Sequence, residues 1–300
     1  MTTSVQTIDT NNYAAMAKAM GIANEATSKP KASTLARLRL NHSPIMGTAD
    51  VNGKTVNMEV VSGGTYKLDI PDVGTFYAPT IELRPYLQRY MYKKFVMGSG
   101  GVSNRYVKTV MADSLNVDLK DNDGGFNCGK PAGYIKDFRA LPEKTQELIK
   151  QIKRVRVVLG TVKMVGAMDA KGNPVELDET AIIWEVENRD AFKSVGDLFA
   201  SLGKQKRLPV QHMIKASSEE RKLPNGNSFY LPVVSLDLTN ALELTQEDQD
   251  RFGDFMSWVQ NYNEYIIKMW TEKSMAQQDA EEDVDFVDSI VDIELDDEVA

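Results

Sequence analysis

Residues 155–168 read VRVVLGTVKMVGAM, a valine-rich run that predicts a long β-strand. The DAKGN stretch at 169–173 predicts a turn, after which residues 175–186 return as a second strand. Earlier in the chain, DVNGK at 50–54 carries an Asn-Gly hairpin signal. Residues 55–61 and 65–70 then form two predicted strands around Ser62-Gly63-Gly64. Short antiparallel strands joined by tight turns are typical of a barrel or a sandwich.

Helical patterns are few and lie mostly in the second half of the chain. Residues 142–153 begin with proline, and residues 189–202 place apolar side chains at helical spacing. Residues 245–275 predict a long helix, for which Thr245 and Asp248 form a plausible N-terminal cap. Its aromatic face includes Trp258, Tyr262 and Trp270 and is expected to bury against the core, with burial against a partner subunit as the alternative. The predicted fold class is therefore α+β, with a strand-rich core and added helices.

The charge is divided unevenly along the 300 residues. The net charge is −8, but residues 279–300 hold eleven acidic residues and no basic one, so that without them it would be +3. A terminal block of like charges repels itself and is usually unfolded. We therefore expect an N-terminal appendage with a linker at 1–33, a folded core at 34–276, and a disordered acidic tail at 277–300.

Residues typical of enzyme and metal sites do not form a recognisable pattern. The single cysteine, Cys128, excludes an internal disulfide framework and a Cys-based zinc site. His42 and His212 lack neighbours at metal-ligand spacing, and no phosphate-binding GxxxxGK[ST] or nucleophile GxSxG motif occurs. The DNDGG stretch at 121–125 resembles a calcium loop, but Ala132 stands where the closing glutamate belongs. The sequence predicts a non-catalytic protein without metal or cofactor.

The hydropathy of the chain and its N-terminal residues indicate the cellular compartment. No stretch approaches the ~20 apolar residues that a membrane helix needs. Residues 1–10 lack the basic start and apolar run of a secretory signal. We expect a cytoplasmic protein without membrane contact, in the host cytoplasm if the source is viral.

The segment at 84–108 combines cations and rings without any acidic residue. Cations neutralise phosphates, while flat rings stack on unpaired bases, so this mixture suits single-stranded nucleic acid. In the alternative interpretation, the tyrosines of a half-buried strand line the core and the lysines face solvent. The candidate binding residues, with two arginines of an earlier strand that share one face, are Arg37, Arg39, Arg84, Tyr86, Arg89, Tyr90, Tyr92, Lys93, Lys94, Phe95, Arg105, Tyr106 and Lys108.

A second basic cluster lies at Lys150, Lys153, Arg154 and Arg156. It gives weaker support to the same hypothesis, because such a cluster can also be an ordinary solvated face.

The acidic tail also contains apolar residues such as Val284, Phe286 and Ile290. Acidic residues alternating with apolar ones suit a peptide that docks in a basic, partly apolar groove of another protein. The same tail could fold back on the chain's own basic groove, or serve only solubility. The candidate partner-binding residues are Asp283, Asp285, Phe286, Asp288, Asp292, Glu294, Asp296, Asp297 and Glu298.

This layout resembles bacteriophage-type single-stranded DNA-binding proteins, which combine a basic and aromatic core with an acidic C-terminal tail. The resemblance implies an OB-like barrel and protection of single-stranded DNA during replication, recombination and repair. It also implies recruitment of a polymerase, helicase or primase through the tail. Two features depart from the pattern: the chain ends Glu298-Val299-Ala300 without an aromatic residue, and residues 142–275 exceed a minimal OB core.

Two other function classes remain open at this point. A viral structural or assembly protein would use the tail for docking and form ordered oligomers without affinity for DNA. An enzyme with an unrecognised site is the third hypothesis. A homo-oligomer is compatible with the first two.

Overall fold

The computed structural model describes residues 35–51, 54–98, 103–131, 133, 135–223 and 226–294, with side chains described outside 49–51 and 277–294. These residues form three α-helices: α1 (Glu143–Gln151), α2 (Arg189–Lys204) and α3 (Gln246–Glu294). They also form eleven strands: β1 (Ala36–Leu40), β2 (Ile45–Val51), β3 (Lys54–Val61), β4 (Tyr66–Ile70), β5 (Gly74–Ala78), β6 (Thr80–Val96), β7 (Arg105–Lys108), β8 (Ile152–Val165), β9 (Thr180–Val186), β10 (Ile214–Lys222) and β11 (Ser228–Leu236). The predicted α+β class is confirmed.

Nine of these strands form one sheet in the order β11-β10-β6-β8-β9-β1-β4-β5, with β7 paired to the far end of β6. All pairs are antiparallel except β1 with β9, which is parallel. Strands β2 and β3 form a separate hairpin. The sheet is open, because no ladder joins β11 to β5 among the described residues, and the predicted OB-like barrel is therefore not confirmed.

The two ends of the open sheet nevertheless meet through side chains. Tyr66 Oη donates to the Ser217 carbonyl at 3.0 Å, and Ser218 Oγ donates to the Gly64 carbonyl at 2.5 Å. Gly64 has a φ of 82°, and a Cβ there would lie 2.5 Å from the Tyr230 ring. Glycine is required on both grounds. The sheet is thus curled and held by these contacts instead of by a closing ladder.

Each face of the sheet is covered by one helix. Val158, Val162 and Trp184 pack with Ala191 and Val195 of α2, and we call this side the α2 face. Val155, Val157 and Ile183 pack with Phe255 and Val259 of α3, and we call this side the α3 face. Because side chains alternate along a strand, adjacent residues of β6 and β8 point to opposite faces.

The β6–β8 ladder is the longest in the molecule and contains an irregularity between Pro85 and Leu87. Before it, Ile81 and Leu83 pack in the core of the α2 face; after it, Leu87 and Met91 pack in that of the α3 face. Proline lacks an amide hydrogen and so interrupts the ladder. The odd-numbered residues of β6 therefore face α2 before the bulge and α3 after it.

Helix α3 begins as the sequence predicts. The Thr245 amide donates to Asp248 Oδ2 at 2.9 Å, and the Asp248 amide donates to Thr245 Oγ1 at 3.2 Å. This reciprocal cap confirms the predicted helix start. Within the described chain, no helix combines the length and the apolar content needed to span a bilayer.

The end of α3 differs from the prediction. We expected disorder from residue 277, but the helix continues to Glu294. Val284, Val287 and Val291 recur at intervals of three and four residues, which is the spacing of one helical face. Residues 1–34, including the predicted appendage, and 295–300, with Asp296, Asp297 and Glu298, lie outside the described residues.

Candidate nucleic-acid interface

A groove of about 250 Å³ lies on the α3 face and is lined by residues of β1, β9, β6 and β7, with β8 between β9 and β6 in the sheet. Its polar and aromatic lining consists of Arg37, Arg39, Lys93, Tyr106, Lys108, Glu185 and Glu187. We call this cavity the outer groove. Five of the residues predicted from the sequence line it, two from β1 and three from the consecutive strands β6 and β7.

Two exposed rings stand beside the outer groove. Tyr106 lines it and pairs in register with Phe95, and the two ring centroids lie 5.1 Å apart. Tyr106 is 51% exposed and Phe95 is 45% exposed. The Lys93 ammonium lies 4.7 Å from the centroid of the Tyr106 ring. Large exposed rings next to a cation provide the kind of platform on which unpaired bases stack.

The two groove lysines are held by Glu185 of β9 and by Glu187, which directly follows this strand. Lys93 Nζ lies 2.9 Å from Glu185 and 2.5 Å from Glu187, and Lys108 Nζ lies 3.2 Å from Glu185. Burial alone raises the pKa of Glu185, but the charges of Lys108 and Lys93 outweigh it and hold that pKa below its ordinary value. These ion pairs fix the lysines at the floor of the groove.

The arginines at the rim are more accessible. Arg39 pairs with Asp69 at 2.9 Å, and that arginine side chain remains more than half exposed. Arg37 is exposed and has no ion-pair partner among the described side chains. An exposed guanidinium without a carboxylate partner is available to a phosphate. Arg105, also predicted, lies at the start of β7 and is occupied by a two-oxygen contact with Asp123 at 2.8 Å.

Three predicted residues serve the packing of α3 instead of the groove. Arg84 pairs with Asp248 at 2.8 Å, and the buried Tyr86 donates to the same carboxylate at 2.6 Å. Arg89 pairs with Asp113 at 2.9 Å and contacts Met256. Their prediction as binding residues is not supported, because α3 covers this part of β6.

Three more predicted residues lie on the α2 face, opposite the outer groove. Tyr92 is buried in a small core with Val107 and Leu119. Tyr90 lies beneath the guanidinium of Arg156, and Lys94 Nζ donates to the Cys128 carbonyl at 2.9 Å. The alternative interpretation, in which tyrosines of a strand line the interior, therefore holds for Tyr86 and Tyr92. Residues 84–108 do not form one surface, since alternation divides them between two faces.

The sequence prediction missed the acidic floor of the outer groove. Glu185 and Glu187 follow the apolar run at 182–184, and their spacing of two residues places them on one face. That spacing was a usable signal. Their position opposite Lys93 and Lys108 depends on the order of the strands, which the sequence does not show.

In the described part of the chain, no group of three or more His, Cys, Asp or Glu side chains is arranged to hold a metal ion. Comparison with protein-family models, curated proteins and solved structures finds no match to this chain. Functional assignment therefore depends on the geometry of its own residues.

Proposed function

We propose that the chain is a non-catalytic single-stranded DNA-binding protein that acts in replication, recombination or repair, with the outer groove as its interface. The observation that carries this proposal is the exposed Phe95–Tyr106 ring pair beside Arg37, Arg39, Lys93 and Lys108. Rings supply stacking that tolerates any base, and the cations supply phosphate contacts. A duplex hides its base faces, so the rings favour unpaired strands.

The acidic part of α3 is the second component of the proposal. It carries Asp283, Asp285, Phe286 and Asp288 in its last turns, and we assign it the docking of a replication protein such as a polymerase, helicase or primase. Its alternating acidic and apolar composition supports this role. A helix is a suitable form for such docking, because an apolar stripe can enter a groove of the partner.

The function is tested by titrating the full chain with oligothymidylate and with a duplex of equal length, following tyrosine and tryptophan fluorescence. We expect preferential binding of the single strand. If the two rim arginines contact phosphates while both lysines stay paired with the glutamates, these contacts should make log K fall with log salt at a slope of about −1.4. Absence of binding at low salt, or equal affinity for the duplex, would contradict the proposal.

Neutralising Glu185 tests whether its ion pairs restrain the groove. We expect Glu185→Gln to strengthen oligothymidylate binding, because Lys93 loses one of its two carboxylate partners and Lys108 loses the one it has within the described chain. The salt slope should steepen by about 1.4 when both lysines reach phosphates. The measurement is a salt series for wild type and variant. Glu219→Gln, an exposed glutamate of β10 paired with Arg221, is the matched control; weaker binding by Glu185→Gln would count against the groove.

A structural or assembly role is the second candidate, and the β2–β3 hairpin favours it. Met46, Val56 and Met58 of this hairpin are exposed. Exposed apolar side chains that lie together on one surface mark contacts with other proteins, and Val56 and Met58, two residues apart on β3, point to the same face. Size-exclusion chromatography separates the two functions, because an assembly protein forms ordered oligomers without oligonucleotide, whereas the proposed function requires complexes that depend on it.

A further inference from the structure

A second cleft, of about 470 Å³, lies on the α2 face between β8 and the first turns of α2. Arg154, Arg156, Arg189 and Phe192 line it, together with the Lys193–Asp197 pair. Because Lys193 and Asp197 are 2.6 Å apart, they largely neutralise each other. Asp190 is the remaining acidic residue of the lining, so three arginines face one carboxylate. We call this cavity the arginine cleft.

Arg156 is the central residue of the arginine cleft and is only 7% exposed. Its Nε donates to the Phe192 carbonyl at 3.2 Å, and its Nη1 donates to Tyr90 Oη at 2.9 Å and to Gln88 Oε1. No described carboxylate lies within 4 Å of it, and Nη2 has no hydrogen-bond partner among the described residues. All its described hydrogen-bond partners are neutral, so none of the described groups in contact with this buried guanidinium balances its charge.

Aromatic rings orient the same arginine. Its Cζ lies 4.5 Å from the centroid of the Phe192 ring and 5.0 Å from that of Tyr90. Arg154 adds a second guanidinium at 5.6 Å from the Phe192 ring. Guanidinium groups held over aromatic rings are well suited to bind phosphate through paired hydrogen bonds.

Gly196 of α2 makes room for this arrangement. A Cβ at position 196 would overlap Nη2 of Arg156. Glycine inside a helix costs roughly 1 kcal/mol relative to alanine. Gly196 is unfavourable for the helix, but its lack of a side chain leaves room for the guanidinium of Arg156 beside α2.

We propose that the arginine cleft binds a phosphate group through Arg154, Arg156 and Arg189. The phosphate can belong to a nucleic-acid strand or to a free phosphate compound, since both offer the same oxygens. The assignment to a strand rests on the proposed function, whereas the phosphate site itself does not. In a bound strand, the cleft would add phosphate contacts on the face opposite the outer groove.

Binding of pyrophosphate to the full chain, measured by calorimetry at low salt, tests the site. We expect Arg154→Gln with Arg189→Gln to weaken binding at least tenfold, since both side chains are exposed and carry no ion pair in the described structure. Lys204→Gln with Lys215→Gln removes two exposed cations elsewhere and should stay within twofold of wild type. Absence of pyrophosphate binding by wild type, or equal binding by the double arginine variant, overturns the proposal.

Gly196→Ala provides a test that leaves the charge unchanged. The added methyl displaces Arg156, so pyrophosphate binding should again fall at least tenfold. Gly203→Ala is the matched control on the same helix, where a Cβ meets no atom within 4 Å. Thermal unfolding of each variant shows that the fold persists. A folded Gly196→Ala protein with wild-type binding would contradict the role of Arg156.

Oligothymidylate binding by the same variants identifies the source of the phosphate. If the double arginine variant also binds oligothymidylate more weakly, with a salt slope shallower by about 1.4, the site holds strand phosphates. If only pyrophosphate binding falls, the site holds a free phosphate compound. Wild-type pyrophosphate binding without any oligonucleotide binding would refute the proposed function and leave the arginine cleft intact.

Discussion

Replacing both Phe95 and Tyr106 with alanine is expected to weaken oligothymidylate binding by at least about thirtyfold. Stacking of one base on a protein ring contributes about 1–3 kcal/mol, and two rings therefore contribute at least about 2 kcal/mol. Both rings are about half exposed, so their removal leaves no large cavity. The salt slope should stay unchanged, because no cation is lost. Fluorescence anisotropy with labelled oligothymidylate measures both quantities.

Phe252→Ala is the matched control for the ring variant. This phenylalanine of α3 is exposed to a similar degree but does not line the outer groove. We expect its affinity to remain within twofold of wild type. If the control and the ring variant lost the same affinity for oligothymidylate, the effect would come from the loss of apolar surface in general and not from the outer groove. Unchanged affinity in the ring variant would remove the outer groove as the interface.

The second large effect is expected in stability, at Asp248. This carboxylate is 6% exposed and accepts hydrogen bonds from Tyr86 at 2.6 Å and from the Thr245 amide at 2.9 Å, and it pairs with Arg84 at 2.8 Å. Asp248→Ala leaves the half-buried Arg84 and the Tyr86 hydroxyl without this partner. We expect a loss of about 3–5 kcal/mol in the free energy of unfolding. Urea denaturation measures it, and Asp250→Ala, at an exposed position of the same turn, should change stability little.

The Asp248 carboxylate also makes the stability of the protein depend on pH in the acid range. Burial alone raises the pKa of Asp248, but the hydrogen bonds from Tyr86 and Thr245 and the charge of Arg84 outweigh it and hold that pKa at about 2. Because this pKa lies below the unfolded value of about 4, the Asp248 carboxylate stabilises the fold above pH 4. This stabilisation is lost as the pH falls toward 2. Wild type should therefore lose more stability than Asp248→Ala between pH 4 and pH 2. Parallel pH profiles would contradict this account.

Much of the secondary structure could be predicted from local patterns. The strands at β1, β3, β4, β8 and β9, the helix α2 and the cap of α3 follow from periodicity, turn residues and capping chemistry. The order of the strands and the curled, open form of the sheet could not be predicted in this way. Both depend on the parallel pairing of β1 with β9 and on contacts such as Tyr66 with Ser217, which join residues distant along the chain.

The sequence predicted which residues of the site are cations and rings, but not the face of the sheet to which each one points. Composition identified the cations and rings of residues 84–108, but composition carries no direction. Alternation places Lys93 and Phe95 on one face and Tyr92 and Lys94 on the other. The bulge at Pro85 then decides which face is which. Arg154 and Arg156 were recognised as a basic cluster, whereas Phe192 and Gly196, which complete the arginine cleft, come from a helix whose position the sequence does not show.

The contact between Tyr66 and Ser217 also bears on how the protein is made. These residues are separated by 151 positions. At a synthesis rate of roughly 5–20 residues per second, β4 leaves the ribosome roughly 8–30 seconds before its counterpart on β10 exists. For most of that interval, β1 also lacks its neighbour β9, and its apolar side chains have no finished core to enter. The nascent chain therefore passes through an aggregation-prone stage, and its yield in the cell should depend on chaperones and on growth temperature.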